Sequence, residues 1–307
     1  MSGAGASLLV GVITFNPGAE AADRVTRQLS SLSGVGPGVV VDNSTDPDAR
    51  TLVRDAARAR GLPVLGDGVN RGTAGGLNIL LALARRQGVD WVLYFDQDSR
   101  PSAAYAHVAG QLAGVPTDVA VVGSHYEVDQ DVTPGAGLEE VRYLIASGSC
   151  YRSEALRQVD GFDEAFFLDL VDHEICLRLR RRGWRLMRAG DLVLTHSIGE
   201  GADARIGRVT VRRHPGWRRR LMWRNGWWWL WREGPRGLGE PARSLGIRAA
   251  ETLVSAGRLR SWGYLTAAVG GTVDAVTLSG RRRGLRASDA EAVVEATYPH
   301  PRGSAVR

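Results

Sequence analysis

The chain has 307 residues, 44% hydrophobic and 23% charged, enough apolar content to bury one large core or two unequal ones and too much for a disordered tail. All 39 basic residues are arginine, which excludes a Walker-type phosphate lysine, a kinase strand lysine and a lysine Schiff base. The net charge of +6 is uneven: residues 1–200 hold 19 arginines against 25 acids, and residues 201–307 hold 20 against 8 with seven of the nine tryptophans.

In chain order, short β-branched runs alternate with alanine- and leucine-rich stretches at helical spacing, the pattern of strand–helix–strand units in a parallel α/β sheet. Strands are predicted at Leu8–Thr14, Val39–Asp42, Pro63–Leu65, Trp91–Phe95 and Val119–Gly123, and helices at about Ala19–Leu32, Asp48–Arg60 and Ala74–Arg86. A further helix is predicted at Asp169–Arg182, where Val171, Ile175 and Leu179 form a stripe and acids precede arginines, as the helix dipole favours. Leu192–Leu194 reads as a strand, Gly199–Asp203 as a linker or loop, and the end of the chain as a short helix with a Ser288/Glu291 capping box. Cys150 and Cys176 have no metal-binding spacing and read as reduced, buried thiols of a cytoplasmic protein. The start lacks a basic signal-peptide region, and Gly263–Leu278 is shorter than the ~20 residues a membrane span requires, so no transmembrane helix is expected.

Several motifs can carry chemistry. Asp96-Gln97-Asp98 follows the apolar run WVLYF, at the strand end where open α/β sheets bind ligands. Period-2 spacing can turn both carboxylates to one side, where they suit a hard cation such as Mg²⁺ or Mn²⁺ bridging a diphosphate. The tripeptide alone is weak, because it recurs at Asp129–Asp131 with no strand leading into it. Asn70-Arg71-Gly72-Thr73-Ala74-Gly75-Gly76 opens a helix whose amides can approach an anion, with Arg71 free to pair a phosphate; a capped flexible turn fits the same residues. It lacks the dinucleotide-binding glycine spacing. Asp42 can accept a hydrogen bond from a uracil or thymine imide, or belong to a turn with Asn43-Ser44. Asp169, Asp172 and His173 share a helical face by spacing and offer a general base or plain helix-end charge. His196, alone, reads equally as structural.

Taken in order, Val12-Ile13-Thr14-Phe15-Asn16, Val41-Asp42-Asn43-Ser44, Asn70-Arg71-Gly72, Asp96-Gln97-Asp98, Ser147-Gly148, Gly161-Phe162-Asp163-Glu164, the run Phe167–Glu174 and His196-Ser197-Ile198-Gly199 resemble the family 2 inverting glycosyltransferases. The runs FDQDS and FLDLVDHEICLR are most similar to bacterial rhamnosyltransferases that use dTDP-L-rhamnose. The resemblance spans residues 7–230 and implies a GT-A fold, a divalent metal (Mg²⁺ or Mn²⁺) and single-displacement chemistry on a nucleotide sugar. It implies Asp98 as principal metal ligand, Asp96 at the metal or the donor's ribose and diphosphate, and His196 completing the metal site. Asp172 matches the general base, although the preceding position, often Glu in the family, is Val171. Donor contacts are implied for Thr14, Asn16, Asp42, Asn70, Arg71, Gly75, Gln97, Arg219 and Arg224, the last two in an arginine-rich segment ending in Arg224-Asn225.

The expected organisation is a nucleotide-sugar-binding and catalytic domain at 1–200 and a basic helical region at 201–307 for acceptor or membrane-surface contact. The expected reaction is rhamnosyl transfer to a cell-surface polysaccharide or polyprenyl-diphosphate-linked glycan, with UDP-galactofuranose or a similar donor as the alternative. Between Arg205 and Arg232 lie nine arginines, six tryptophans and no acid, a composition that suits an anionic membrane surface on the cytoplasmic side. It also suits a nucleic-acid-binding module, the non-enzyme reading, although no nucleic-acid partner is expected.

Overall fold

The structure is a computed structural model that describes residues 6–127, 135, 137–196, 202–206, 209–212, 214–235, 237–257, 262–278 and 287–298. The second Asp-Gln-Asp, at 129–131, lies outside them, as do Ser197, Ile198 and residues 199–201 of the expected linker.

The first half is β1 (Leu8–Thr14), α1 (Ala19–Ser31), β2 (Gly38–Asp42), α2 (Pro47–Arg58), β3 (Val64–Leu65), α3 (Gly72–Gln87) and β4 (Trp91–Asp96). Next come β5 (Ser99–Pro101), α4 (Val108–Ala113), β6 (Val119–Glu127), β7 (Leu138–Glu140), β8 (Ser149–Arg152), α5 (Ser153–Gln158), α6 (Val171–Arg181) and β9 (Arg185–His196). The C-terminal part is a hairpin of β10 (Ala202–Ile206) and β11 (Val209–Arg212), then α7 (Gly216–Glu233), α8 (Gly239–Gly257), α9 (Gly263–Leu278) and α10 (Ala287–Thr297).

Strands β1 to β9 form one sheet in the order β3-β2-β1-β4-β8-β6-β9-β5, with β7 pairing on β9. The β3-β2-β1-β4 side is parallel throughout, which is why β1 is apolar at nearly every position: helices cover both its faces. Alternation divides the core in two. Leu8, Val10 and Val12 pack with Val25, Leu29, Val53 and Tyr105 on one side, and Leu9 and Ile13 with Leu80, Ile175, Phe166 and Trp228 on the other. The sheet is thus a middle layer, and its parallel register aligns the ends of β1, β2 and β4, pairing Thr14 with Asp42 and Ile13 with Asp96.

Three sequence expectations change. Helix α6 begins at Val171, leaving Asp169 in the preceding loop, because Phe167 and Leu170 both take φ of 64°, which a helix does not tolerate. Strand β4 ends at Asp96, so Asp98 lies in a turn, not further along a strand. Residues 202 and 203 of the expected loop open strand β10.

Candidate active site

The carboxyl edge of the parallel strands holds the donor-side candidates. Asp42 is buried at the end of β2, where its Oδ1 accepts from Thr14 Oγ1 (3.1 Å) and from the Ser44 amide (3.0 Å). Asn16 follows β1 with φ of 43°, held by bonds from the Thr45 and Asp46 amides to its Oδ1 (3.0 and 3.1 Å) and from its own amide to Ser44 Oγ (2.8 Å). Gln97 braces the same edge, its Oε1 accepting from the Phe15 amide at 2.9 Å.

The glycine-rich segment is built into this edge. Asn43 Nδ2 donates to the Gly72 carbonyl (2.8 Å), and Asn70 Oδ1 accepts from the Gly72 amide (2.9 Å). Gly72 has φ of +65°, and a Cβ there would lie 2.2 Å from the Phe167 carbonyl oxygen, so glycine alone lets α3 start against that loop. Gly75 is one turn on, beside Arg71 and Glu164. Arg71 is not free: Asp67 holds its guanidinium through two oxygens, at 2.5 and 2.8 Å, and those bonds keep the Asp67 carboxyl below its ordinary range.

At the end of β4, Asp96 accepts from the Tyr94 hydroxyl, while its amide donates to Ser147 Oγ at 2.8 Å. Antiparallel pairing of β5 with β9 sets Ser99 opposite His196, bringing the His196 backbone to within one residue of Asp98 in register. Among the described residues no three His, Cys, Asp or Glu side chains converge as a metal cluster, and the His196 side chain lies outside them. Two carboxylates on adjoining backbone, Asp96 and Asp98, suit a hard divalent cation.

The acidic candidates approach from the other side. Asp172, at the start of α6, bonds through Oδ1 to the His173 amide and to His173 Nδ1, both at 2.9 Å. Burial pushes the Asp172 carboxyl up, but the His173 charge and these bonds outweigh it and hold it below its ordinary value. His173 is shifted upward: burial opposes its charge, and Asp172 more than restores it. The imidazole is stacked on Tyr143 (centroids 5.1 Å apart) and met edge-on by Trp229 (4.7 Å). The Tyr126 hydroxyl is raised by burial first, then by the charges of Tyr105, Asp96 and Asp172.

The arginine-rich helix α7 finds its anions in the fold. Arg218 pairs with Asp169 (3.1 Å), Arg220 with Asp274 (2.5 Å), and Arg232 with Asp163 (2.8 Å) and Glu174 (3.0 Å). Arg219 is buried 3.4 Å above the Tyr264 ring and 3.8 Å from Glu251, and Arg224 reaches the Ala165 carbonyl at 2.5 Å. The segment's lack of acids is met by acids distant in sequence, so the five arginines named here are internal ties. Sequence reasoning missed Tyr126 and Tyr143, which no spacing signal marks.

A sheet edge with a glycine-led helix, an Asp-x-Asp turn and an acidic helix across from them is the arrangement of the GT-A glycosyltransferases. Solved structures agree: a mannosyltransferase from Pyrobaculum calidifontis in complex with GDP-Man and Mn²⁺ has a TM-score of 0.56 at 17% identity, covering 96% of this chain and 81% of that one. The S. aureus protein TarS (residues 1–349) has a TM-score of 0.50 at 15% identity, covering 88% and 81%. No protein-family model matches the chain. The chain is a glycosyltransferase with the GT-A fold. It is rhamnosyltransferase-like: a dTDP-rhamnosyl transferase of Shigella flexneri, RfbF, is 26% identical over 233 residues, 70% of this chain and 76% of the relative.

Proposed function

We propose that the protein transfers L-rhamnose from dTDP-L-rhamnose, with inversion at the anomeric carbon, to a hydroxyl of a cell-surface polysaccharide or polyprenyl-diphosphate-linked glycan. The observation that carries the reading is the sheet register that brings Thr14, Asp42 and Asp96 to one edge, with the glycine-led start of α3 tied to it through Asn43. Similarity to the Shigella flexneri enzyme supports rhamnose as the sugar.

In this reading Asp42, beside Thr14 and Ser44, accepts the thymine imide hydrogen, and Asn16 shapes the ribose side. The Asn70–Gly75 turn, tied to the donor edge through Asn43, shapes the pyrophosphate side of the pocket. Asp98, Asp96 and His196 would hold a divalent cation, which would supply positive charge to a departing diphosphate. Asp172 accepts the proton of the acceptor hydroxyl as its oxygen attacks the sugar carbon from the face opposite the leaving group. Asp172 is better suited than Asp169, whose carboxylate is tied to Arg218 and whose loop position turns it from the α6 face. His173 keeps Asp172 ionised near neutral pH, ready to take that proton.

The basic region at 201–307 is read as the acceptor side, docking on an anionic lipid surface at the cytoplasmic face. No helix among the described residues is long and apolar enough to cross a membrane. Helix α9 instead exposes Leu265, Val269, Val273 and Val276 along one face, with Trp262 before it, in a region whose arginines outnumber acids 20 to 8. A donor screen that follows nucleotide release from dTDP-, UDP- and GDP-sugars, with the product anomer assigned by NMR, tests the function. Turnover of UDP-galactofuranose in preference to dTDP-L-rhamnose would overturn the donor assignment.

A further inference from the structure

The loop between residues 165 and 170 delivers the chain to Asp172, and it is strained. Phe167 has φ of 64° and ψ of −65°, and the Leu168 amide bonds back to the Phe166 carbonyl at 2.8 Å, closing a γ-turn of the rare hand. Three residues on, Leu170 is left-handed at φ 64° and ψ 15° and precedes the first residue of α6. Two such non-glycine conformations in four positions persist only where the surroundings over-determine them.

The over-determination comes chiefly from one side chain of the C-terminal part. Asn225, on α7, is 0% exposed. Its Nδ2 donates to the Phe166 carbonyl (2.8 Å) and to the Asp169 carbonyl (2.7 Å), the two ends of the strained turn. Its Oδ1 accepts from Arg224 Nε (2.9 Å), which fixes the amide's orientation, and Arg224 itself reaches the Ala165 carbonyl. On the other side of the loop the Ala74 amide donates to the Phe167 carbonyl (3.2 Å), beside Gly72, whose own carbonyl is held by Asn43. One run of hydrogen bonds therefore joins the end of β2, the start of α3, the loop and α7. An isolated buried amide donating to two carbonyls has no packing role that an apolar side chain would not fill as well, whereas it does fix a backbone.

The geometry points to Asn225 as a positioning residue: it holds the 166–169 turn so that Asp172 stands at a fixed distance from the donor-side edge, and the active site is incomplete without α7. This rests on the reading of Asp172 as the base. A displacement of about 1 Å at the base is enough to lower turnover roughly 100-fold.

The experiment compares Asn225→Ala and Asn225→Asp with Leu245→Ala and Asp172→Asn in the full-length protein. Leu245, on α8, packs against Gly226, the neighbour of Asn225 on α7, so Leu245→Ala reproduces packing damage at that helix with the amide bonds kept. Both Asn225 variants should lose about 30- to 100-fold in kcat, with dTDP binding and donor KM within about twofold of wild type, while Leu245→Ala keeps its kcat. Asn225→Ser, which retains one donor, should recover part of the loss, and it carries the comparison if Asn225→Ala no longer binds dTDP. An Asn225→Ala kcat within about threefold of wild type, with Asp172→Asn inactive, overturns the positioning role alone. Normal transfer by Asp172→Asn overturns the base assignment and the inference that rests on it.

Discussion

The His173 ring and the Asp172 carboxylate are chain neighbours that bond to each other, Nδ1 to Oδ1 at 2.9 Å, with Tyr143 and Trp229 fixing the ring. Burial pushes the Asp172 carboxyl up and His173 brings it down past its ordinary value. A base acts only when ionised, so activity falls as pH drops through its pKa. Replacing His173 with Ala leaves burial dominant and raises that pKa, so the acidic limb of the kcat profile should move to higher pH. At neutral pH kcat should fall about tenfold, against a loss of about 100-fold or more in Asp172→Asn. An unmoved acidic limb in His173→Ala would show that another group sets it.

Chelation with EDTA should abolish transfer, and Asp98→Ala should lower it by about 100-fold or more with the fold retained, since a turn carboxylate is lost and no core side chain. Asp131→Ala, in the second Asp-Gln-Asp, should match wild type. Full activity in EDTA, or equal loss in both variants, would remove the metal from the account.

Glu164 accepts from Asn78 Nδ2 at 2.6 Å, and burial carries its carboxyl up to about 7, against partial opposition from Asn78 and Arg71. Between the ordinary value of 4.5 and about 7 the unfolded chain has released a proton that the folded protein keeps. Stability from this group is therefore present below pH 4.5 and lost as pH rises through 7. Glu164→Gln keeps the shape and cannot ionise, so its thermal midpoint relative to wild type should be higher at pH 8 than at pH 5. Parallel curves across that window would refute the shift.

Vesicles of phosphatidylcholine mixed with phosphatidylglycerol should retain the protein at low salt and release it as salt rises, and pure phosphatidylcholine should retain less. Changing Trp262, Val269 and Val273 to Ser should weaken retention while donor hydrolysis persists. Absence of retention, with a dimer that the triple variant dissociates, would assign the α9 face to a second copy.

The parallel half of the fold is legible because its strands are buried on both faces: the Leu8–Thr14 run matches β1 end for end, and the Asp42 and Asp96 strand ends follow from it. Among the C-terminal helices, α10 falls where its capping residues are read, but α7 to α9 are not legible in their bounds. Helix α8 carries Pro241, Gly246 and scattered arginines that blur its period, and the ion pairs of α7 join residues some 50 positions apart, where no local pattern reports them. The start of α6 is misread for a related reason: the apolar stripe at Val171, Ile175 and Leu179 sets a helix but says nothing of the left-handed Leu170 that begins it. At the site, residue types at strand ends identify the donor edge, while the tie between Asn225 and the acidic loop exists only once the chain has closed on itself.

Two thiols give the protein its own clock. Cys150 lies in β8 between β4 and β6, and Cys176 lies on α6, four residues from Asp172; both are buried, and burial pushes both thiols up, Cys176 to about 12. In the closed protein neither is exposed or ionised, so an alkylating reagent can reach each only when its own element opens. The rate at Cys150 times the rupture of the central sheet, and the rate at Cys176 times the loosening of the helix that carries Asp172. Where the second runs faster than the first, the acidic helix breathes while the sheet stays shut.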